Sequence, residues 1–346
     1  MNDPLFIYGS YGYTGELIVR EALDHGIRPV LAGRNEAKLR AQAAAHKLDY
    51  RVFPLDDARS VEEELHDARV VLHCAGPFVR TAGVMAEACL RTGTHYLDIT
   101  GEISVFEYMA SQDSRATEAG VMLMPGVGFD VVPSDCLAAH LRHELPSATH
   151  LKLAFTGTGG PSHGTALTML ENFGHGGQVR RGGKLVPVPS GWKTRSIDFG
   201  GRVETCITIP WGDVSTAYYS TGIPNIEVYM GAPLGLRVFS KAARVLGPVL
   251  NSPGVQKFLA ARIPEGGPSE SSRQRGYSLL WGEASDDKGN HVEARLKTPD
   301  GYTLTARTAV LVARKVLTGH AHAGFLTPSL AFGRDLILEV PGCTRS

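Results

Sequence analysis

Short apolar runs alternate with amphipathic segments through the first part of the chain. After the run Leu5–Tyr8, the pattern predicts strands at 28–32, 50–53, 69–73, 95–97 and 121–124 and helices at 36–46, 61–65, 83–91 and 105–119. Strands that are joined through helices must pair in parallel, and such sheets are covered by helices on both faces. The pattern therefore predicts a Rossmann-type, doubly wound α/β sheet that extends to about residue 135.

Three glycines, Gly9, Gly12 and Gly15, follow the first strand and precede the first helix. In a dinucleotide-binding turn, the first glycine permits the tight turn, the second lets the backbone approach a pyrophosphate, and the third lets the helix pack closely. The spacing is G-x-x-G-x-x-G rather than the commoner G-x-G-x-x-G, and a structural packing turn is the alternative. The strand before the turn, the helix after it and the second strand favour a cofactor site.

The end of the second strand indicates which dinucleotide binds. An NAD site places an acid there to bind the ribose 2′-hydroxyl, whereas an NADP site offers arginine to the 2′-phosphate. The segment Gly33–Asn35 contains Arg34 and no acid, and Lys38 follows one turn later. We expect Arg34 to bind the phosphate in a bidentate manner, with an exposed loop arginine as the alternative. Asp56 or Asp57 would meet the adenine or cap the next helix.

Three further segments follow predicted strands on the same edge of the sheet, where ligands bind in doubly wound folds. In 74–78, small residues at Ala75 and Gly76 would let the nicotinamide ribose lie against the backbone, or would simply form a tight turn. Segments 98–102 and 125–130 contribute Glu102 and Asp130. These carboxylates would lie beside the nicotinamide or cap helices.

The remainder of the chain has a different pattern. Strands predicted at 150–155, 203–209, 226–230, 277–283 and 292–298 lack connecting crossover helices, and a long helix is predicted at 303–317. This pattern predicts a second α+β domain with a mixed or antiparallel sheet. We expect a nucleotide-binding domain at 1–135, a substrate domain at 136–302 and a helical segment at 303–346.

Composition excludes several classes of protein. Lys and Arg number 35, as do Asp and Glu, so no basic surface for nucleic acid is indicated. The five cysteines include no C-x-x-C pair, and His140 and His143 have no third ligand in view, so no metal site is predicted. The first strand begins close to the first residue and no apolar run has the length of a membrane span, so the expected location is cytoplasmic.

Several motifs together resemble the saccharopine dehydrogenase-like oxidoreductases, in particular the trans-acting enoyl reductases. They are Gly-Ser-Tyr-Gly-Tyr-Thr-Gly at 9–15, Leu-Ala-Gly-Arg at 31–34, Cys-Ala-Gly-Pro-Phe at 74–78, Tyr-Leu-Asp-Ile-Thr-Gly-Glu at 96–102 and Met-Pro-Gly-Val-Gly-Phe-Asp at 124–130. The resemblance implies NADP(H) as cofactor and a C-terminal segment that returns to the first domain. It also implies contacts between the cofactor and residues of the first three motifs, to which we add Ser10 and Lys38 from their positions. The expected cofactor-binding residues are Gly9, Ser10, Tyr11, Gly12, Tyr13, Thr14, Gly15, Arg34, Lys38, Cys74, Ala75, Gly76, Pro77 and Phe78.

The proton donor is less clearly indicated than the cofactor. No tyrosine is followed by lysine four residues later, which argues against the Tyr-x-x-x-Lys mechanism of short-chain dehydrogenases. Because the nicotinamide performs hydride transfer, the protein needs mainly to position the substrate and supply a proton. The candidates for that role are His163, Tyr218, Tyr219 and Asp130.

These observations predict an NADPH-dependent reductase of a carbon-carbon double bond in a hydrophobic molecule or acyl chain. The alternatives are a saccharopine-type C=N or carbonyl oxidoreductase and a noncatalytic NADP-binding sensor. Within 233–263, Arg237, Lys241 and Arg244 recur at helical spacing opposite apolar residues. Such a helix would contact a membrane surface or an acyl carrier, or would be an ordinary amphipathic helix. A homodimer is a further expectation.

Overall fold

The computed structural model describes residues 4–158, 176–237, 240, 252–262 and 266–346. The described residues form two compact units. The first contains the described residues up to Val132 together with Tyr302–Val340, and the second contains those of Pro133–Gly301 together with Pro341–Ser346. The C-terminal segment 303–346 is therefore divided between the units at Pro341.

Strands and helices alternate in the N-terminal part of the first unit. In chain order they are β1 (Leu5–Tyr8), α1 (Tyr13–Asp24), β2 (Val30–Gly33), α2 (Glu36–His46), β3 (Tyr50–Val52), α3 (Ala58–Leu65), β4 (Val70–His73), α4 (Phe78–Thr92), β5 (His95–Asp98), α5 (Ile103–Ser111), α6 (Asp113–Ala119) and β6 (Met122–Met124). Strands β1, β4 and β5 are buried at every position, as the apolar runs predicted. The single helix predicted over 105–119 is wrong, because the backbone at Gln112 leaves helical geometry and separates α5 from α6.

The second unit begins within α7 (Val132–Glu144). Its further elements are β7 (His150–Gly157), β8 (Gly177–Arg181), β9 (Lys184–Val188), β10 (Thr194–Asp198), β11 (Val203–Thr208), α8 (Asp213–Thr221), β12 (Asn225–Gly231), α9 (Pro253–Ala260), α10 (Glu270–Arg275), β13 (Tyr277–Ser285) and β14 (His291–Pro299). The chain then forms α11 (Gly301–Leu317), β15 (Gly324–Phe325), α12 (Pro328–Phe332), a 3₁₀ turn (Leu336–Glu339) and β16 (Thr344–Arg345).

The sheet of the first unit is parallel throughout its described strands. Its order is β15-β6-β5-β4-β1-β2-β3, and each neighbouring pair runs in the same direction. The order reverses between β1 and β4, which makes this the point where ligands bind beyond the strand ends. The predicted doubly wound sheet is confirmed, and its short edge strand β15 comes from the C-terminal part of the chain.

The sheet of the second unit is mixed. Its order is β10-β11-β12-β7-β13-β14-β16, with β8 joining β12 and β9. Strand β12 pairs with β7 in parallel, whereas β7 pairs with β13 in antiparallel fashion. The mixed sheet that the sequence predicted is therefore confirmed.

The hairpin formed by β8 and β9 was not predicted. Its two strands pair from Gly177 to Val188 and are joined by Gly182 and Gly183, which have φ values of +53° and +78°. Two consecutive residues with positive φ form the tight turn whose twist matches that of antiparallel strands. The Gly-Gly pair between Arg181 and Lys184 was the signal in the sequence that could have identified this hairpin.

The second sheet is strongly curled. Arg195 on β10 donates to Glu283 on β13 at 2.5 Å, although β11, β12 and β7 lie between them in the sheet. In a flat sheet, four strand spacings of about 4.8 Å would place these strands roughly 19 Å apart. The curl encloses an apolar cluster that includes Ile197, Tyr229 and Trp281.

Candidate cofactor site

The turn after β1 requires glycine at its first position. Gly9 has a φ of +80°, which L side chains rarely adopt. Its N–H donates to the carbonyl of Ala32 at 2.7 Å, and a Cβ built on Gly9 would lie 2.9 Å from Ala75 Cβ. The turn after β1 is therefore in direct contact with the loop after β4. The contact joins Gly9 and Ala75, which are both predicted cofactor-binding residues.

Gly15 allows the start of α1 to approach the same turn. A Cβ built on Gly15 would lie 2.4 Å from the carbonyl oxygen of Gly9 and 2.8 Å from that of Ser10. Gly12 is the N-cap residue of α1 and has no side chain with which to cap this helix start. The first N–H groups of a helix carry the positive end of its dipole, so this start suits a phosphate.

Ser10 is buried and holds the turn to α2. Its hydroxyl donates to Gln42 Oε1 at 2.8 Å, and Gln42 Nε2 donates to the Ser10 carbonyl at 2.9 Å and to Glu16 Oε2 at 2.6 Å. These hydrogen bonds fix the glycine turn against helix α2. The contribution we predict for Ser10 in cofactor binding is therefore limited to its backbone.

Tyr13 and Thr14 lie in the first turn of α1, and both are partly buried. The ring of Tyr13 packs edge-on against Tyr302 at the start of α11, with 5.2 Å between ring centroids. The C-terminal part of the first unit therefore contacts the start of α1.

The end of β2 combines a glycine with exposed cationic residues. A Cβ built on Gly33 would lie 2.6 Å from Cε1 of Tyr11. Arg34 and Lys38 are exposed, and Asn35 caps α2 by accepting the Lys38 N–H at 3.0 Å. Tyr11, Arg34 and Lys38 thus gather at the strand end, where the sequence predicted the 2′-phosphate site.

Asp57 caps α3. Its carboxylate accepts the Ser60 N–H at 3.3 Å, which is the helix-cap alternative raised for this residue.

The loop after β4 is held by a hydroxyl and an imidazole. Thr81 donates to the carbonyl of Ala75 at 2.9 Å and lies 2.9 Å from His73 Nε2. Because the Thr81 hydroxyl uses its proton on Ala75, we assign the His73 proton to Nε2. His73 is buried, and burial lowers its pKa to about 3, so the ring is neutral near pH 7.

Phe78 and Cys74 lie at the two ends of this loop. Phe78 packs edge-on against the ring of His73 at 5.2 Å, and the peptide bond between Gly76 and Pro77 is cis. The Cys74 N–H donates to the carbonyl of Tyr8 at 2.8 Å. Burial raises the pKa of the Cys74 thiol well above its ordinary value, so this cysteine is not a thiolate near pH 7.

Asp98, the last residue of β5, joins two loops at this edge of the sheet. Its Oδ1 accepts the N–H groups of Thr100 at 2.9 Å and Gly126 at 2.8 Å, and its Oδ2 accepts the Tyr96 hydroxyl at 2.6 Å. Burial raises the pKa of Asp98 to about 7. Neither Asp98 nor His73 was predicted as a site residue, although each is a polar residue at the end of a buried strand.

Glu102 is a helix cap. Its two carboxylate oxygens accept the N–H groups of Phe78 at 2.9 Å and Val79 at 2.8 Å, at the start of α4. The loops after β4 and β5 are therefore tied together by a charge-assisted pair of hydrogen bonds. This outcome matches the cap alternative stated for Glu102.

Asp130 lies against the backbone of the β5 loop. A Cβ built on Gly101 would be 2.5 Å from Asp130 Oδ2, and burial raises the pKa of Asp130 to about 7. The neighbouring residue Phe129 donates its N–H to Thr305 on α11 at 3.0 Å. Loops after β5 and β6 thus bring Asp98, Glu102 and Asp130 to one edge of the sheet.

Two of the other proton-donor candidates belong to the second unit. Tyr218 and Tyr219 lie on α8 of the second unit, where the guanidinium of Arg180 is 4.3 Å and 5.9 Å from their ring centroids. Arg180 is buried and donates to the carbonyls of Val214 and Gly183, both at 2.8 Å. His163 lies outside the described residues, as does most of the predicted basic helix with Lys241 and Arg244.

The residues at the β1 and β2 ends fit an NADP(H) molecule. The turn excludes any Cβ at Gly9 and Gly15, α1 begins directly after the turn with a glycine at its N-cap, and the end of β2 offers Arg34 and Lys38 with no acid in 33–35. Residues 5–124 match the family model described as the saccharopine dehydrogenase NADP binding domain. This part of the chain is an NADP-binding domain of the saccharopine dehydrogenase type.

Curated relatives match this chain at low identity, some over nearly its whole length and others over about half of it. The human saccharopine dehydrogenase-like oxidoreductase is 27% identical over 97% of this chain and 94% of its own length. A Mycobacterium tuberculosis protein named as a candidate trans-acting enoyl reductase is 25% identical over 97% of this chain and 95% of its own. The match to the mouse saccharopine dehydrogenase-like oxidoreductase is 27% identical and covers 51% of this chain and 47% of that protein, so the chain spans about half the length of this relative.

A solved structure shares the fold of this chain beyond the cofactor domain. The apo saccharopine dehydrogenase (L-Glu forming) of Saccharomyces cerevisiae superimposes with a TM-score of 0.65, covering 98% of this chain and 96% of that one. At 12% sequence identity, this similarity concerns the fold alone.

The described residues contain neither a metal-ion cluster nor a membrane-spanning helix. Within the described ranges, no group of three or more His, Cys, Asp or Glu residues is placed to hold a metal ion. No helix in the described part of the chain has the length and apolar character needed to cross a bilayer.

Proposed function

We propose that this protein is an NADPH-dependent oxidoreductase that reduces a carbon-carbon double bond conjugated to a carbonyl in a hydrophobic small molecule or acyl chain. The NADP-binding domain supports the cofactor, and the name of the Mycobacterium tuberculosis relative supports the enoyl reductase reaction. The observation that carries the proposal is the position of Asp130 at the nicotinamide half of the sheet edge, where its carboxyl group lies against Gly101 and has a pKa raised to about 7.

The glycine turn and the start of α1 would hold the pyrophosphate, and Arg34 with Lys38 would hold the 2′-phosphate. In doubly wound sheets, the two halves of a dinucleotide lie on opposite sides of the point where strand order reverses. The nicotinamide half would therefore lie beyond β4, β5 and β6, whose loops contain Ala75, Glu102 and Asp130. When bound, the reduced cofactor supplies a hydride to the substrate carbon.

Asp130 would supply the proton that completes the reduction. Because burial raises its pKa to about 7, a large fraction of Asp130 is protonated near neutral pH. A carboxylic acid with a pKa near the working pH is suited to general acid catalysis. Hydride addition would leave the substrate as an anion, and this anion would accept the proton from Asp130. Asp130 would then take up a new proton from solvent.

The charge of the three loops limits the substrate. Segments 74–78, 99–102 and 125–131 contain Glu102 and Asp130 but no Lys or Arg, and Asp98 lies directly beneath them. A substrate with several carboxylates would find no cation in these loops, which argues against saccharopine itself. The ionised carboxylate of Glu102 would favour a protonated imine over such a polyanion, so C=N reduction is the second candidate.

Steady-state oxidation of NADPH with matched substrates tests the proposal. Acyl thioesters with a 2,3-double bond, cyclic enones, cyclic imines and ketones of similar size would be compared at pH 7. Turnover of the thioesters or enones at least ten times faster than that of the imines would support the proposal. Faster imine turnover would favour the second candidate, and binding of NADPH without any turnover would favour a noncatalytic sensor.

A further inference from the structure

We propose that Tyr11 is a specificity-determining residue that helps the protein select NADPH over NADH by completing the 2′-phosphate site. The proposal rests on the cofactor site argued above, and concerns a residue of the glycine turn rather than of the second strand. Its basis is the arrangement of Tyr11, Gly33, Arg34 and Lys38 at the end of β2.

The ring of Tyr11 occupies the space over the last residue of β2. A Cβ built on Gly33 would lie 2.6 Å from Cε1 of Tyr11, 3.3 Å from Cζ and 3.4 Å from the hydroxyl oxygen. A real Cβ cannot occupy a position 2.6 Å from a carbon atom, so the absence of a side chain at Gly33 is what permits the ring to lie there. The strand end where NAD sites carry an acid is thus occupied by a phenol ring.

Lys38 adds a cation to the same group. Its Nζ lies 5.8 Å from the centroid of the Tyr11 ring, within the distance at which an ammonium is attracted to an aromatic face. Asn35 fixes the backbone of Lys38 by capping α2. Glu36, the acid in the first turn of α2, pairs with Arg40 on the same helix. Tyr11 therefore holds the ammonium of Lys38 near the strand end that presents Arg34.

The phenol group can also bind a phosphate directly. The Tyr11 hydroxyl is a hydrogen-bond donor, and hydrogen bonds to charged groups are stronger than those between neutral groups. Tyr11 lies between Gly9 and Gly12, so a single residue of the pyrophosphate turn would also reach the 2′-phosphate. We therefore expect Tyr11 to contribute through its ring, which positions Lys38, and through its hydroxyl.

Calorimetric titration with 2′,5′-ADP and with 5′-ADP isolates the 2′-phosphate from hydride chemistry. The proteins compared are the wild type, Tyr11→Phe, Tyr11→Ala and, as a control, Tyr108→Ala, which alters a tyrosine that is 38% exposed on α5. We expect Tyr11→Phe to weaken 2′,5′-ADP binding about threefold to tenfold, and Tyr11→Ala by more than tenfold. Binding of 5′-ADP should change less than twofold, and the control should match the wild type.

Gly33→Ala provides a second test that leaves the Tyr11 hydroxyl in the protein. Its Cβ would displace the ring, and we expect the same selective loss of 2′,5′-ADP binding, with circular dichroism confirming the fold. Equal losses for both nucleotides in the Tyr11 variants, or no loss for either, would overturn the proposal. Because no substrate is used, these results do not depend on the proposed reaction; a wild type that does not prefer 2′,5′-ADP would overturn both the site and the role of Tyr11.

Discussion

The carboxylate of Glu102 accepts the backbone N–H of Phe78 at 2.9 Å, across 24 positions of sequence. Its second oxygen accepts the N–H of Val79 at 2.8 Å. A side chain from the loop after β5 therefore caps the helix that follows β4, and places negative charge at the positive end of that helix.

Removing this cap should destabilise the first unit. We expect Glu102→Ala to lower the free energy of unfolding by about 0.5–2 kcal/mol, the usual cost of losing a helix cap. Urea denaturation followed by circular dichroism measures the change. Glu118→Ala, which alters an exposed glutamate on α6, is the control and should be within about 0.5 kcal/mol of the wild type. Equal stability of the two variants would show that the Glu102 cap contributes nothing measurable.

Arg34 should determine the preference for NADPH. We expect Arg34→Ala to weaken NADPH binding by about 1.5–3 kcal/mol, as for the loss of a hydrogen bond between charged groups, while NADH binding hardly changes. Fluorescence titration of both cofactors gives the two affinities. Arg59→Ala, at an exposed arginine on α3, serves as the control. Equal losses for both cofactors would place Arg34 outside the 2′-phosphate site.

Asp130 should give the reaction a characteristic pH dependence. Its protonated form is the proposed acid, and its pKa is raised to about 7, so kcat should fall as the pH rises through about 7. Asp130→Asn cannot donate an acidic proton, and we expect kcat at pH 6.5 to fall by about 10²-fold to 10⁴-fold. A variant that retains the wild-type rate and profile would exclude Asp130 as the donor.

The hydroxyl groups of Tyr218 and Tyr219 should be dispensable for turnover. Phenylalanine keeps the ring faces that pack near Arg180 and removes only the hydroxyl. We therefore expect Tyr218→Phe and Tyr219→Phe to retain kcat within about twofold, measured at saturating NADPH. The two variants are measured beside Asp130→Asn. A decrease in kcat of about 10²-fold or more in either tyrosine variant would assign the acid role to that tyrosine rather than to Asp130.

The contribution of Asp98 to stability should decrease between about pH 4 and pH 7. Burial raises the pKa of Asp98 from 3.8 to about 7, so over this range the Asp98 carboxyl binds more protons in the folded state than in the unfolded state. Under linkage, the part of the free energy of unfolding that Asp98 contributes then falls as the pH rises, and levels off above the folded pKa. His73, whose pKa burial lowers to about 3, acts in the opposite direction, so the wild type is compared with Asp98→Asn by thermal unfolding in matched buffers from pH 4 to pH 8. A stability difference between the two proteins that does not fall across this range would contradict the raised pKa of Asp98.

Most elements of the first unit follow from local sequence pattern. The apolar runs predicted β1, β4 and β5, and helix α2 begins at Glu36 and ends at His46 as predicted, because Asn35 caps it. The Gly-Gly turn of the β8 and β9 hairpin was missed, since its flanking strands are short and only partly apolar. The break at Gln112 was also missed, because α5 and α6 share one helical pattern.

By itself, the sequence determined the glycine turn, the basic end of β2 and the preference for NADP, because each depends on neighbouring residues with a fixed local geometry. Only the tertiary structure decided that Glu102 caps α4, that Asp98 joins the loops after β5 and β6, and that Tyr11 covers Gly33. These contacts join residues that lie far apart in the chain, and they form only when parallel strand pairing aligns the strand ends. The same holds for Arg195 and Glu283, which the curl of the second sheet brings together.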